Sequence, residues 1–221
     1  MKSSSTNPPT RRAFTLIELM VVIAVVALIV AAMAPMVFST LAASKLTAAG
    51  ETMAAQISYA RQRAVSANEE IEVRFYSYDD PEVSGSELNY VAMAVVKVSL
   101  PPTAIAANAA SSEVAQLIGD VYYLPTGIAL GRSTALSPSI LSSGAANSEK
   151  PDRNGVIRKA SASFRGFRFF PDGSSNLPPT PAKCYVTLVE DRFAGPQSAI
   201  PKNFFAIQID PANGRTTTYR P

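Results

Sequence analysis

The sequence contains no histidine. That absence removes Ser-His-Asp and Cys-His nucleophile systems, and with them the HExxH metal site. Cysteine occurs once, at Cys184, so no intramolecular disulfide can form and CxxC metal sites are excluded. The body of the chain also lacks a charge imbalance. The formal net charge of +3 comes from Lys2, Arg11 and Arg12, and from residue 14 onward 17 basic side chains face 17 acidic ones. Nucleic-acid binders carry a basic footprint; this body has none overall, and no nucleic-acid partner is expected. Long apolar runs are absent with one exception near the N-terminus, so the 221 residues allow at most one membrane span beside one globular domain.

That exception lies within RRAFTLIELMVVIAVVALIVAAMAP, residues 11–35. Leu19 to Phe38 is uncharged throughout. From Phe14 to Ala34 a helix would be about 31 Å long at about 1.5 Å per residue, which matches a hydrocarbon core of about 30 Å. Arg11 and Arg12 precede the run, so the positive-inside rule leaves residues 1–12 in the cytoplasm and the body outside. Three readings compete. A secretory signal has the basic start and an A-x-A site at Ala32-Met33-Ala34, but the run is long for an h-region and Pro35 would follow the cut. A plain anchor explains the length and leaves Glu18, an ionisable group at the start of the run, without a partner.

The third reading rests on Ala13, Phe14, Thr15, Leu16, Ile17 and Glu18. This order, a small residue followed by F-T-L-I-E behind a short basic leader, closely resembles the N-terminus of type IV prepilins and pseudopilins. The resemblance implies cleavage between Ala13 and Phe14 on the cytoplasmic face and methylation of the new amino group on Phe14. It also implies that the Glu18 carboxylate meets the N-terminal ammonium of a neighbouring subunit, so that two charges each expensive in an apolar medium become tolerable together. Many pilins carry a proline at the distance of Pro35 from the cut, where the missing N–H and ring clash kink or locally melt a helix. The chain departs from the family at Ala13, where glycine is strongly preferred. The partners implied are an aspartic prepilin peptidase, other pilin or pseudopilin subunits, an inner-membrane assembly platform and membrane lipid. No cofactor and no metal are implied.

Beyond the run, Ala42, Leu46, Ala49, Met53, Ile57, Ala60 and Ala64 recur at steps of three or four, predicting an amphipathic helix that ends near Asn68. Gly50 weakens it slightly. Ile71 to Tyr76 alternates apolar and polar residues, as a half-buried strand does. Further strands are expected at Tyr90–Leu100, Val121–Leu124, Gly127–Leu130, Phe167–Phe170, Cys184–Val189 and Phe204–Ile209. Pro171-Asp172-Gly173 reads as a turn, and the Asn213-Gly214 step favours a hairpin into Thr216–Tyr219. One long N-terminal helix followed by strands predicts an α+β fold, pilin-like, with the helix packed on an antiparallel sheet. The divisions are a leader over 1–13, a transmembrane and assembly helix over 14–38, its amphipathic continuation over 39–68 and a β-rich head over 69–221. Residues 101–119 and 132–160 read as surface insertions.

The head extends the resemblance. Ile57 to Asn68 followed by Ile71 to Phe75 resembles the helix-to-strand junction of the minor pseudopilin group that includes the H-type subunit of type II secretion. Phe167 to Gly173 is similar to that group's F-x-P-x-G turn, and Phe205 to Arg215 to its last hairpin. The Arg74-Phe75-Tyr76 strand and the closing I-D-P-x-N-G stretch resemble the pilin-like family called Verru_Chthon cassette protein D.

Other candidate sites have simpler explanations. Asp79, Asp80 and Glu82 offer oxygen ligands for calcium but lack the spacing of an EF-hand loop and read as a solvated turn. Arg165 and Arg168 interleave with Phe167 and Phe169, a pattern that suits phosphate or a stacked base, but with a neutral body a strand with one apolar face is the better reading. The serines of 133–148 have no base to activate them. The expected protein is therefore a minor pilin-like or pseudopilin-like structural subunit of a type IV pilus or type II secretion-like filament, and no enzyme. The alternative is a filament-tip adhesin or DNA-uptake pilin whose head binds a ligand.

Overall fold

The computed structural model describes residues 14–78, 89–99, 114–142, 149–159, 161–196 and 199–221; the side chains of 32–39 lie outside the described part. One helix, α1 (Leu16–Ala67), is followed by strands β1 (Ile71–Ser77), β2 (Tyr90–Ser99), β3 (Val114–Leu117), β4 (Tyr122–Tyr123), β5 (Ile128–Leu130), β6 (Lys150–Pro151), β7 (Ser163–Phe169), β8 (Tyr185–Glu190), β9 (Phe205–Ile209) and β10 (Thr216–Tyr219). The chain divides into two compact units, Met1–Leu41 and Ala42–Pro221.

In the second unit the helix packs on one antiparallel sheet, ordered β10-β9-β8-β5-β2-β1-β7-β6, with β3 and β4 also paired to β2. The alanine-rich stripe is the packing face: Leu46, Ala49, Met53, Ile57, Ala60 and Ala64 are all buried. They meet Val73, Phe75, Met93, Phe167, Phe169 and Ile207 from the sheet. Each fully buried Leu, Ile or Met side chain contributes about 1.5–3 kcal/mol, and the small alanines between them let the backbone approach. Gly50 serves that approach. A β-carbon there would lie 2.3 Å from a ring carbon of Phe205, so the missing side chain is the space the phenyl ring occupies. The helix ends at Ala67 because Asn68 turns into the left-handed region (φ 53°) and Glu69 N–H closes back on the Ala64 carbonyl at 3.2 Å.

Two sequence expectations need correction. β1 is not half-buried: all seven of its residues are buried. Its polar face lies beneath a second small core formed by Tyr76, Ala92, Ala94, Val96, Ile157 and Phe164. The supposed insertions also contribute structure. Val114–Leu117, within 101–119, pairs with Val96–Ser99 of β2. Within 132–160, Leu136, Ile140, Leu141 and Ile157 are buried, and Lys150–Pro151 extends the sheet beyond β7. Their apolar residues are too widely spaced to show a strand or helix period, yet those named from 132–160 fill core positions, while Val114 and Leu117 of β3 stay exposed.

Tyr76 and Tyr90 are fully buried. Burial raises both phenols, Tyr90 to about 12 and Tyr76 further. Both are neutral in either state below their ordinary value of 10.0. Above it the unfolded phenols ionise first, so folding stability holds below that pH and declines above it. The decline is about 1.4 kcal/mol per pH unit per phenol, continuing to about 12 for Tyr90. Denaturant titrations of the full chain at rising pH should show this alkaline loss, and Tyr90→Phe should remove one phenol's share of it.

Candidate functional site

The N-terminal unit opens on a reciprocal pair. Thr15 stands immediately before the first helical residue, Leu16, and Glu18 is three positions on. The Glu18 backbone N–H donates to Thr15 Oγ1 at 3.3 Å, while Thr15 N–H and Thr15 Oγ1 both donate to Glu18 Oε2 at 3.1 Å. This is a capping box: two amide donors orphaned at the helix start are satisfied by each other's side chains. The carboxylate also lies at the positive end of the helix dipole. Thr15-Leu16-Ile17-Glu18 carries the T-x-x-E signature in the sequence itself, a local role for Glu18 beside the intersubunit one that the resemblance implies.

The helical surface that follows has no polar face. Leu16, Ile17, Leu19, Met20, Val21, Val22, Ile23, Val25, Val26, Leu28, Ile29 and Val30 are each at least half exposed. A helix apolar on every side is normally covered by other protein or by lipid. Among the described residues no helix is long and apolar enough to cross a membrane; the span expected from the sequence runs on through 32–38, whose side chains lie outside the described part. Pro35 falls in that stretch, and Arg11, Arg12 and Ala13 lie outside the described residues altogether. Phe14 is 82 % exposed.

The head contains a buried ionic cluster. Glu72 and Arg74 project from the same face of β1, and Arg74 Nη2 and Nε reach Glu72 Oε2 at 2.6 and 2.7 Å. Arg74 lies over the Phe164 ring at 4.1 Å, a cation–π contact. Arg168 of β7 joins Glu72 at 3.5 Å and Glu70 at 3.6 Å. Phe167 and Phe169 enter the core, and Arg168 on the opposite face of β7 pairs with carboxylates; Arg165 shares the face of the two rings and donates to the Ser142 carbonyl. The serines are structural as well. Ser137 accepts the Thr187 N–H at 3.2 Å, and Ser142 donates to the Pro138 carbonyl at 2.5 Å. Asp79, Asp80 and Glu82 lie outside the described residues. Cys184 is buried, and its thiol is pushed up chiefly by that burial.

Arg61 ties the helix to both predicted turns. Its Nε donates to the Asn213 carbonyl at 2.5 Å, and its guanidinium passes beside Gly173. Gly214 (φ 65°) leaves room for it, since a β-carbon there would lie 2.9 Å from Arg61 Cδ and 2.5 Å from the Gly173 carbonyl oxygen. Each turn is visible in the sequence, but their meeting on one arginine is a tertiary fact.

Fold and terminus together define an α+β head and an N-terminal helix that begins in a capping box and opens on a stretch apolar on every side. Residues 9–34 match the family model described as the prokaryotic N-terminal methylation motif. The structural comparison finds the type IV minor pilin FimU of Pseudomonas aeruginosa (strain PAO1) in two crystal forms. One is 16% identical, with 80% of this chain and 93% of that chain covered and a TM-score of 0.36. The other is 15% identical, with 80% and 97% covered and a TM-score of 0.38. No curated protein matches the chain.

Proposed function

We propose that this protein is a minor pilin-like or pseudopilin-like structural subunit and not an enzyme. An aspartic prepilin peptidase cuts it between Ala13 and Phe14, and the new amino group of Phe14 is methylated. Before assembly it sits in the inner membrane with residues 1–12 in the cytoplasm and the head outside. An inner-membrane platform then assembles it with other pilin subunits, through residues 14–66, into a type IV pilus or type II secretion-like filament. The observation that carries this reading is the methylation motif over residues 9–34. The exposed apolar helix supports it, because burial among neighbouring helices and lipid is what such a surface requires. Glu18 then has a role beyond its cap, since it is the one charged side chain from Phe14 to Phe38 and can attract the ammonium of a neighbour.

The test is the intact mass of the protein recovered from membranes of its native host. The expected chain begins at N-methylated Phe14. Glu18→Val should still be cut, yet its recovery in sheared filaments should fall about tenfold or more, as expected when a charge loses its partner in an apolar setting. A chain starting at Pro35 or later would make the segment an ordinary signal peptide. An intact Met1 start would make it a plain anchor. Either result overturns the reading.

A further inference from the structure

The outer face of the sheet's last three strands holds a groove of about 450 Å³ that the filament reading does not use. Its floor follows the strand register. Ala206 of β9 stands opposite Thr187 of β8 on one side and Tyr219 of β10 on the other. A methyl group therefore lies low between taller walls, one of which includes Phe204, whose ring sits 5.9 Å from that of Tyr219. Among the described residues no charged side chain lines the groove.

The polar groups of this floor are turned away from any guest. Tyr185 Oη donates to the Ala135 carbonyl at 3.1 Å, Thr187 Oγ1 to the Leu136 carbonyl at 2.5 Å, and Gln208 Nε2 to the Pro181 carbonyl at 3.1 Å. Beside the hydroxyls of Thr217 and Tyr219, what remains for a guest is ring and methyl surface. Ile200 and Tyr219, 56 % and 60 % exposed, stand at its edge.

Two exposed lysines neighbour the lining in the chain: Lys183 follows Ala182, and Lys202 lies between Ile200 and Phe204. Asp210, two residues beyond the lining residue Gln208, accepts Ala212 N–H at 3.0 Å and Asn213 Nδ2 at 2.6 Å within its own turn. The groove also borders a sheet edge. β10 pairs only with β9 among the described strands, so every second residue directs its N–H and C=O outward. Thr217 and Tyr219 belong to that edge strand and to the groove lining alike.

We infer that this groove takes an extended segment of another protein, laid along β10, with apolar side chains at alternate positions and flanking carboxylates. The apolar floor selects the side chains, the basic rim the carboxylates, and the open edge the extended backbone. The inference concerns only Ala42–Pro221 and stands whether or not the N-terminus is cut.

The test uses the full chain in neutral-lipid nanodiscs and two labelled peptides, Asp-Phe-Thr-Val-Asp and Lys-Phe-Thr-Val-Lys. The acidic peptide should bind about tenfold more tightly, and the difference should shrink as salt screens the rim. Ala206→Leu, which fills the floor, should abolish binding of both. Exposed Lys202→Glu leaves the fold untouched and should narrow or reverse the preference, which keeps the test sound if the Ala206 variant fails to fold. Equal affinity for the two peptides, or no binding of either, would overturn the inference. So would displacement of the acidic peptide by anionic lipid added to the nanodiscs, since the groove would then be a lipid site.

Discussion

Gly166→Ala should cost the head about 3 kcal/mol or more of folding stability. Gly166 sits opposite Arg74 in the β1–β7 ladder. A β-carbon there would lie 2.2 Å from the Val73 carbonyl oxygen and 3.2 Å from Arg74 Cα. Both neighbours are backbone in the middle of the sheet and cannot move without disturbing β1 as a whole. The contrast with Gly50 makes the expectation specific. At Gly50 the neighbour is the Phe205 ring, a side chain that can turn aside, so Gly50→Ala should cost less. Denaturant midpoints for the two variants of the full chain check the order. If Gly50→Ala proves the more damaging, helix-to-sheet packing rather than strand approach limits this head.

Glu72→Ala should cost about 3–5 kcal/mol, because it leaves Arg74 buried and without its carboxylate. The side chains of Arg74 and Glu72 are only 3% and 6% exposed, so water cannot replace the lost partner. Replacing both residues, as in Glu72→Leu with Arg74→Met, should recover stability to within about 1 kcal/mol of the parent. A well-packed apolar pair does not bear the desolvation of two ions. Equal damage from the single and the double variant would mean that the cluster also orients Arg168 and Glu70, and the double-mutant cycle separates those effects.

The contrast between the two partners of β1 explains what the sequence made legible. The helical stripe from Leu46 to Ala64 is an unbroken 3.6-residue pattern, so its buried face is readable directly. The strand Ile71 to Tyr76 is equally regular, yet its Glu and Arg read as a solvated face. Their burial depends on Ile157 and Phe164, 80 or more residues later. Short strands such as Lys150–Pro151 have no period to read. At the candidate site the residues of the motif were identifiable, whereas the local cap formed by Thr15 was legible and missed. The groove beside β10 was not legible at all, since its lining comes from segments as far apart as Ala135 and Tyr219.

The cap has a consequence for how subunits would join. Glu18 already accepts two hydrogen bonds from Thr15 of its own chain. Both bonds go to Oε2, and a carboxylate has about four acceptor sites over its two oxygens. An incoming ammonium would therefore add to the cap instead of displacing it. The cap holds the carboxylate in one orientation, so a neighbour would meet a fixed acceptor and not a freely rotating side chain. A filament built on it would test alignment at a preset point.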